Sequence, residues 1–158
     1  MKKIFLFIGF LTLSFITANA QEISDNAIGL RLGDNDGFGA EISYQRRLSD
    51  NNRLEIDLGL RNGSNYDGFK ATGLYQWVWQ LENRFNWYAG AGGGLGHLSI
   101  NNSDVSETYL FVSGVIGIEY NFDIPLILSL DYRPDIGFGD NLYDGFNSDF
   151  GLGIRYQF

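Results

Sequence analysis

From Ala27 to Phe158, apolar side chains recur at every second residue, in runs broken by clusters of Asp, Asn, Gly and Pro. A two-residue period is that of a β-strand, whose successive side chains point to opposite faces. The alternation predicts eight strands: 27–33, 38–48, 53–61, 69–80, 85–99, 108–122, 126–133 and 148–158. No stretch of this region carries a 3.6-residue apolar period. The 21 glycines among 158 residues also speak against helices, because an interior glycine costs a helix roughly 1 kcal/mol relative to alanine. Connections after the second, fourth and sixth runs are short. Those after the third, fifth and seventh are longer, and 134–147 reads as the longest. Eight antiparallel strands with short turns at one end and longer loops at the other form an up-and-down barrel.

The first 20 residues are of another kind. Lys2 and Lys3 precede an apolar run from Ile4 to Ile16, and Ala18-Asn19-Ala20 follows. A charged start, a short apolar core and an Ala-x-Ala site make a cleavable signal peptide, with cleavage before Gln21. The apolar run is too short for a membrane helix, which needs about 20 residues. The expected division is therefore a signal peptide over 1–20 and one barrel domain over 21–158. There is no cysteine, so disulfides and thiolate metal sites are excluded. The formal net charge of −8 includes Lys2 and Lys3, so the mature chain stands at −10. That balance excludes nucleic acid as a partner.

Alternation does not by itself say which face points outward, and a soluble lipocalin-like binder also has eight strands. Bulk decides. The apolar faces carry Tyr75, Trp77, Trp79, Trp87, Tyr120, Phe122, Tyr156 and Phe158 beside many Leu and Ile. An eight-stranded barrel is only just wide enough inside for ordinary side chains. The polar faces carry glycine and a charge set: Arg31, Glu41, Arg47, Arg53, Glu55, Asp57, Arg61, Lys70, Glu119, Asp131, Arg133 and Arg155. Seven of these are basic and five acidic. Small and paired charged groups fit the lumen, and the bulky apolar groups belong in lipid. Aromatics then fall into two rims, with Phe38, Phe69, Tyr132 and Phe150 opposite the rim near the termini. Two such girdles mark a membrane barrel. Arg46 is the one charge on the apolar face, close to the rim.

The last strand, Phe150-x-Leu152-x-Ile154-x-Tyr156-x-Phe158, resembles the C-terminal assembly signal of outer-membrane proteins. The whole mature chain resembles the small outer-membrane barrels of the OmpA transmembrane-domain and OmpX type. The resemblance implies a Gram-negative outer membrane, both termini periplasmic, and a lumen plugged by side chains. It implies a structural or surface-interaction role and no cofactor. The implied partners are outer-membrane lipid and lipopolysaccharide, with periplasmic chaperones and the barrel-assembly machinery during biogenesis; a monomer is expected.

A second resemblance is local. His97-Leu98-Ser99, with Glu107 beyond the next loop, is similar to the His-x-Ser element of the lipid A 3-O-deacylase barrels. It implies Ser99 as nucleophile, His97 as base and Glu107 as the group orienting the base. This chain departs from the pattern, with Ile100 after the serine and a shorter loop to the glutamate. The simpler expectation is a rim histidine beside a polar loop. Asp34-Asn35-Asp36-Gly37 and the segment from Asp140 to Gly145 carry acidic spacings that fall short of a calcium loop, and turn chemistry accounts for them. The Gly90–Gly96 run is the only support for a narrow pore.

Overall fold

The computed structural model describes residues 23–33, 39–62, 65–101, 104–139 and 143–158. The signal-peptide expectation and the segments 34–38 and 140–142 lie outside them. The described chain is eight strands: β1 (Asn26–Leu32), β2 (Ala40–Ser49), β3 (Asn52–Asn62), β4 (Tyr66–Glu82), β5 (Phe85–Ile100), β6 (Ser106–Asn121), β7 (Leu126–Phe138) and β8 (Asp144–Gln157). Each pairs antiparallel with its neighbours in sequence, and β1 pairs with β8 to close the barrel. The closing seam is tied where the termini meet, by Asn26 N–H to Phe158 O (3.1 Å) and Phe158 N–H to Asn26 O (2.9 Å).

The alternation resolves as apolar outside and polar inside. On β1, Ile28, Leu30 and Leu32 are 46%, 48% and 43% exposed, while Arg31 between them is 1% exposed. The same rhythm runs around the wall through Leu60, Leu110, Ile116, Leu130 and Phe146. An apolar surface this continuous needs hydrocarbon around it. It overturns the lipocalin-like alternative, which required the reverse facing.

Two tight turns join strands at the end that carries the termini. Asp50-Asn51 links β2 to β3, and Asn83-Arg84 links β4 to β5. Asn83 takes a positive φ of 49°, a conformation asparagine accepts more readily than most residues. That end carries an aromatic girdle. Trp79 faces Trp87 across β4–β5 with ring centroids 4.3 Å apart, and Phe85 faces Tyr120 across β5–β6 at 4.7 Å. Tyr156 and Phe158 continue it on β8.

The expected loop over 134–147 is mostly strand. β7 runs on through Pro134 to Phe138, and β8 starts at Asp144. Proline ordinarily ends a strand reading because it cannot donate to the ladder. Here the loss falls on one side only. The β6–β7 ladder has no pairs between Ser113–Asp135 and Ile116–Tyr132, whereas Pro134 still pairs with Ser148 of β8. One expectation moves with this extension. Tyr132 and Phe150 are register partners midway up the wall, and the outer-rim aromatics there are Phe138 and Phe146. Phe38 lies outside the described residues.

Mid-wall burial in lipid makes a depth test. Ile116→Arg, on the outward face of β6, is expected to lower the unfolding free energy in vesicles by about 2–4 kcal/mol, measured by urea titration.

Candidate functional site

Inside the wall the side chains form one ion-paired column. At its centre Arg31 of β1 reaches three strands. Its Nη1 donates to Asp149 Oδ2 (2.6 Å) and Glu41 Oε2 (3.2 Å), and its Nη2 and Nε donate to Asp131 Oδ1 (2.6 and 2.9 Å). Arg133 of β7 donates to Asp57 Oδ2 (2.9 Å) and shares the same Glu41 oxygen. Glu41 thus bridges two guanidinium groups, and Tyr88 OH donates to Asp131 Oδ2 (3.2 Å).

A second tier lies beside Tyr88. Arg53 donates through Nε to Gln76 Oε1 (2.6 Å), pairs with Glu119 (2.7 Å), and covers the Tyr88 ring at 4.8 Å. Arg155 pairs with Glu55 (3.1 Å) and donates to Ser43 (2.9 Å) and Ser129 (2.8 Å). Gln45 also donates to Glu55. Towards the outer end, Lys70 Nζ donates to Asp135 Oδ2 (2.6 Å) and lies 4.8 Å from the centre of the Phe111 ring. Tyr143, from the β7–β8 connection, donates to the same Asp135 oxygen (3.1 Å) and stacks on Tyr109 at 4.2 Å. At the other end Ile23 packs against a small apolar cluster of Leu74, Val78, Tyr88 and Val115.

Arg31, Glu41, Glu55, Asp57, Glu119, Asp131, Arg133 and Arg155 are all buried on the inward face, with Arg53 and Lys70. Arg47 is a correction. It lies at the rim, pairs with Asp25 at 2.8 Å, and keeps 26% of its side chain exposed, because β2 is ending there. The side chain of Arg61 lies outside the described residues. Asp135 and Asp149 are additions: the supposed loop hid the inward facing of Asp135, while Asp149 lies in the expected last strand, where the alternation with Phe150 already points it inward. With them, the buried charges among the described residues are five basic and seven acidic, which replaces the expected balance. Side chains of β6 take the space beside two of the β5 glycines. A Cβ at Gly94 would run into Phe111, and one at Gly96 into Tyr109, so β5 is thin because β6 aromatics lie across it.

The Ser99, His97 and Glu107 set is not brought together. His97 and Ser99 face outward on β5, but the inward-facing Leu98 is the register partner of Glu107. The Glu107 carboxylate lies by Gly139, within the barrel mouth. His97 Nδ1 instead meets Thr108 Oγ1 at 2.9 Å, and its ring stacks on Phe69 at 6.4 Å. That is the placement of a rim residue, and a glutamate on the far side of the sheet cannot orient the imidazole. The five residues of the terminal pattern, Phe150, Leu152, Ile154, Tyr156 and Phe158, all face outward, between 42% and 61% exposed.

This architecture is that of the small outer-membrane barrels. The N-terminal β-barrel domain of Pseudomonas aeruginosa OprF superposes with a TM-score of 0.64 at 17% identity, over 85% of this chain and 98% of that one. Neisserial surface protein A gives 0.62 at 16% identity, over 84% and 94%. Ail, the attachment invasion locus protein of Yersinia pestis, gives 0.50 at 18%, over 85% and 97%. No protein-family model and no curated protein matches the chain.

Position in the column sets the cost of losing a charge. Arg31→Ala strands the carboxylates of Asp131 and Asp149, and is expected to destabilise the barrel by about 3–5 kcal/mol. Arg47→Ala breaks only a rim pair and is expected to cost below about 1 kcal/mol. Urea unfolding of both variants in the same micelles checks the contrast.

Proposed function

We propose that this chain is an integral outer-membrane barrel with both termini in the periplasm, a lumen closed by its own side chains, and a structural or surface-interaction role. The observation that carries the reading is the pairing of facings: a continuous apolar exterior around a buried column of charges. Ion pairs such as Arg31–Asp131 and Lys70–Asp135 cross the lumen between strands that are not neighbours. They tie non-adjacent strands together and occupy space a solute would need. Aromatic side chains at the outer end and an apolar cluster around Val78 at the other flank that column.

The outward-facing terminal pattern on β8 supports recognition by the barrel-assembly machinery, with periplasmic chaperones carrying the chain to it. The apolar exterior supports outer-membrane lipid, lipopolysaccharide included, as its immediate surroundings. The connections at the end opposite the termini are then what the barrel shows to the outside. Purified barrel reconstituted in planar bilayers is expected to give no steady ion conductance. Sustained single-channel steps would contradict a closed lumen.

A further inference from the structure

The outer rim carries a polar block whose chemistry suits one kind of ligand. On the outward face of β5–β6, His97 pairs in register with Thr108, and Ser99 with Ser106. One step towards the membrane centre the next outward pair is Leu95 and Leu110, 43% and 61% exposed. On these two strands the apolar run therefore stops where this block begins, while Phe69 and Leu60 continue it beside them at the same level. His97 stands ten residues above Trp87 of the lower girdle, and ten residues of a tilted strand rise roughly 25 Å, the height of the apolar band. The block lies at the level of lipid headgroups.

The histidine ring is held in place from two sides. Phe69 backs its ring, and Thr108 Oγ1 engages Nδ1 at 2.9 Å. That contact occupies Nδ1 and leaves Nε2 as the ring nitrogen for a ligand; Nε2 donates in the tautomer where the threonine hydroxyl donates to Nδ1 and in the imidazolium. The hydroxyls of Ser99 and Ser106 stand one register pair further out. The only described lysine, Lys70, is buried on Asp135, and Arg31 and Arg133 are buried in the lumen. Among the described side chains, no lysine or arginine is available on this face to meet a headgroup anion. Asp67 is the register partner of Ser99 on the β4 side, so a carboxylate borders the block there and works against an anion on that side.

We propose that His97, Ser99 and Ser106 form a headgroup site for a phosphate of an outer-leaflet lipid, with Thr108 positioning the imidazole. The site rests on the reading of the chain as an outer-membrane barrel. Its test uses the fact that His97 is the one histidine in the sequence, so histidine-selective ¹⁵N labelling reports this residue alone. The full barrel is folded in alkyl maltoside micelles, which contain no phosphate, and its β-structure is followed separately by circular dichroism. Diphosphorylated lipid A, the same lipid with its phosphates removed, and inorganic phosphate are then added in separate titrations. The Nε2 resonance is expected to shift saturably with the phosphorylated lipid only. The joint change Ser99→Ala and Ser106→Ala is expected to weaken that binding about tenfold or more, the loss of at least one good hydrogen bond to an anion. Thr108→Val is expected to weaken it while leaving the barrel folded. The proposal is overturned if the folded barrel shows no shift with phosphorylated lipid, an equal shift with the dephosphorylated lipid, or saturation by inorganic phosphate alone. A chain that forms no β-barrel in micelles would instead overturn the outer-membrane reading beneath it.

Discussion

In hydrocarbon an unpaired backbone N–H or C=O has no water to turn to, and each costs several kcal/mol. Closure of β1 on β8 is therefore the constraint from which the rest of this structure follows. With no free edge, every strand has two neighbours, and segments that would fray in an open sheet stay in register. This explains why β7 passes through Pro134. One missing donor interrupts the ladder to β6 locally, while the pairing to β8 continues on the other side.

Closure also creates an interior, and the two-residue period commits half of every strand to it. Once the exterior must be apolar, the interior receives what remains: charges, amides, hydroxyls and glycine. Such groups are tolerable out of water only when paired. The column around Arg31 and Arg133 meets that demand by drawing its carboxylates from several strands. The inward glycines belong to the same economy of space. Gly117 leaves room for the Tyr88 ring, and Gly151 for the Arg31 guanidinium. Large side chains cross a narrow lumen because small ones face them.

Strand number, facing and most of the lumen were legible in the sequence, because period-2 alternation and bulk are local signals. Arg31, Glu41, Asp57 and Asp131 could be placed inward from their neighbours alone. The extent of β7 and β8 could not. A proline and a string of Asp, Gly and Asn residues read as a loop, and only the neighbouring strands turn them into a ladder. Asp135 was lost with that segment, whereas Asp149 stood in the expected last strand and its inward facing was legible beside Phe150. The His97 environment shows a different limit. Alternation placed His97 and Ser99 on the outward face correctly, but the partner across the strand depends on hairpin register. A shift of one residue separates Thr108, which touches the ring, from Glu107, which faces the lumen.

The direction of the apolar face can be read directly, because the chain has three tryptophans, Trp77, Trp79 and Trp87, all on outward positions of β4 and β5. The measurement is tryptophan fluorescence of the barrel in vesicles whose acyl chains carry bromine, set against quenching by aqueous acrylamide. Strong quenching by the brominated lipid with little by acrylamide is the predicted result. Full emission in brominated vesicles, with acrylamide quenching typical of a protein in water, would contradict the account.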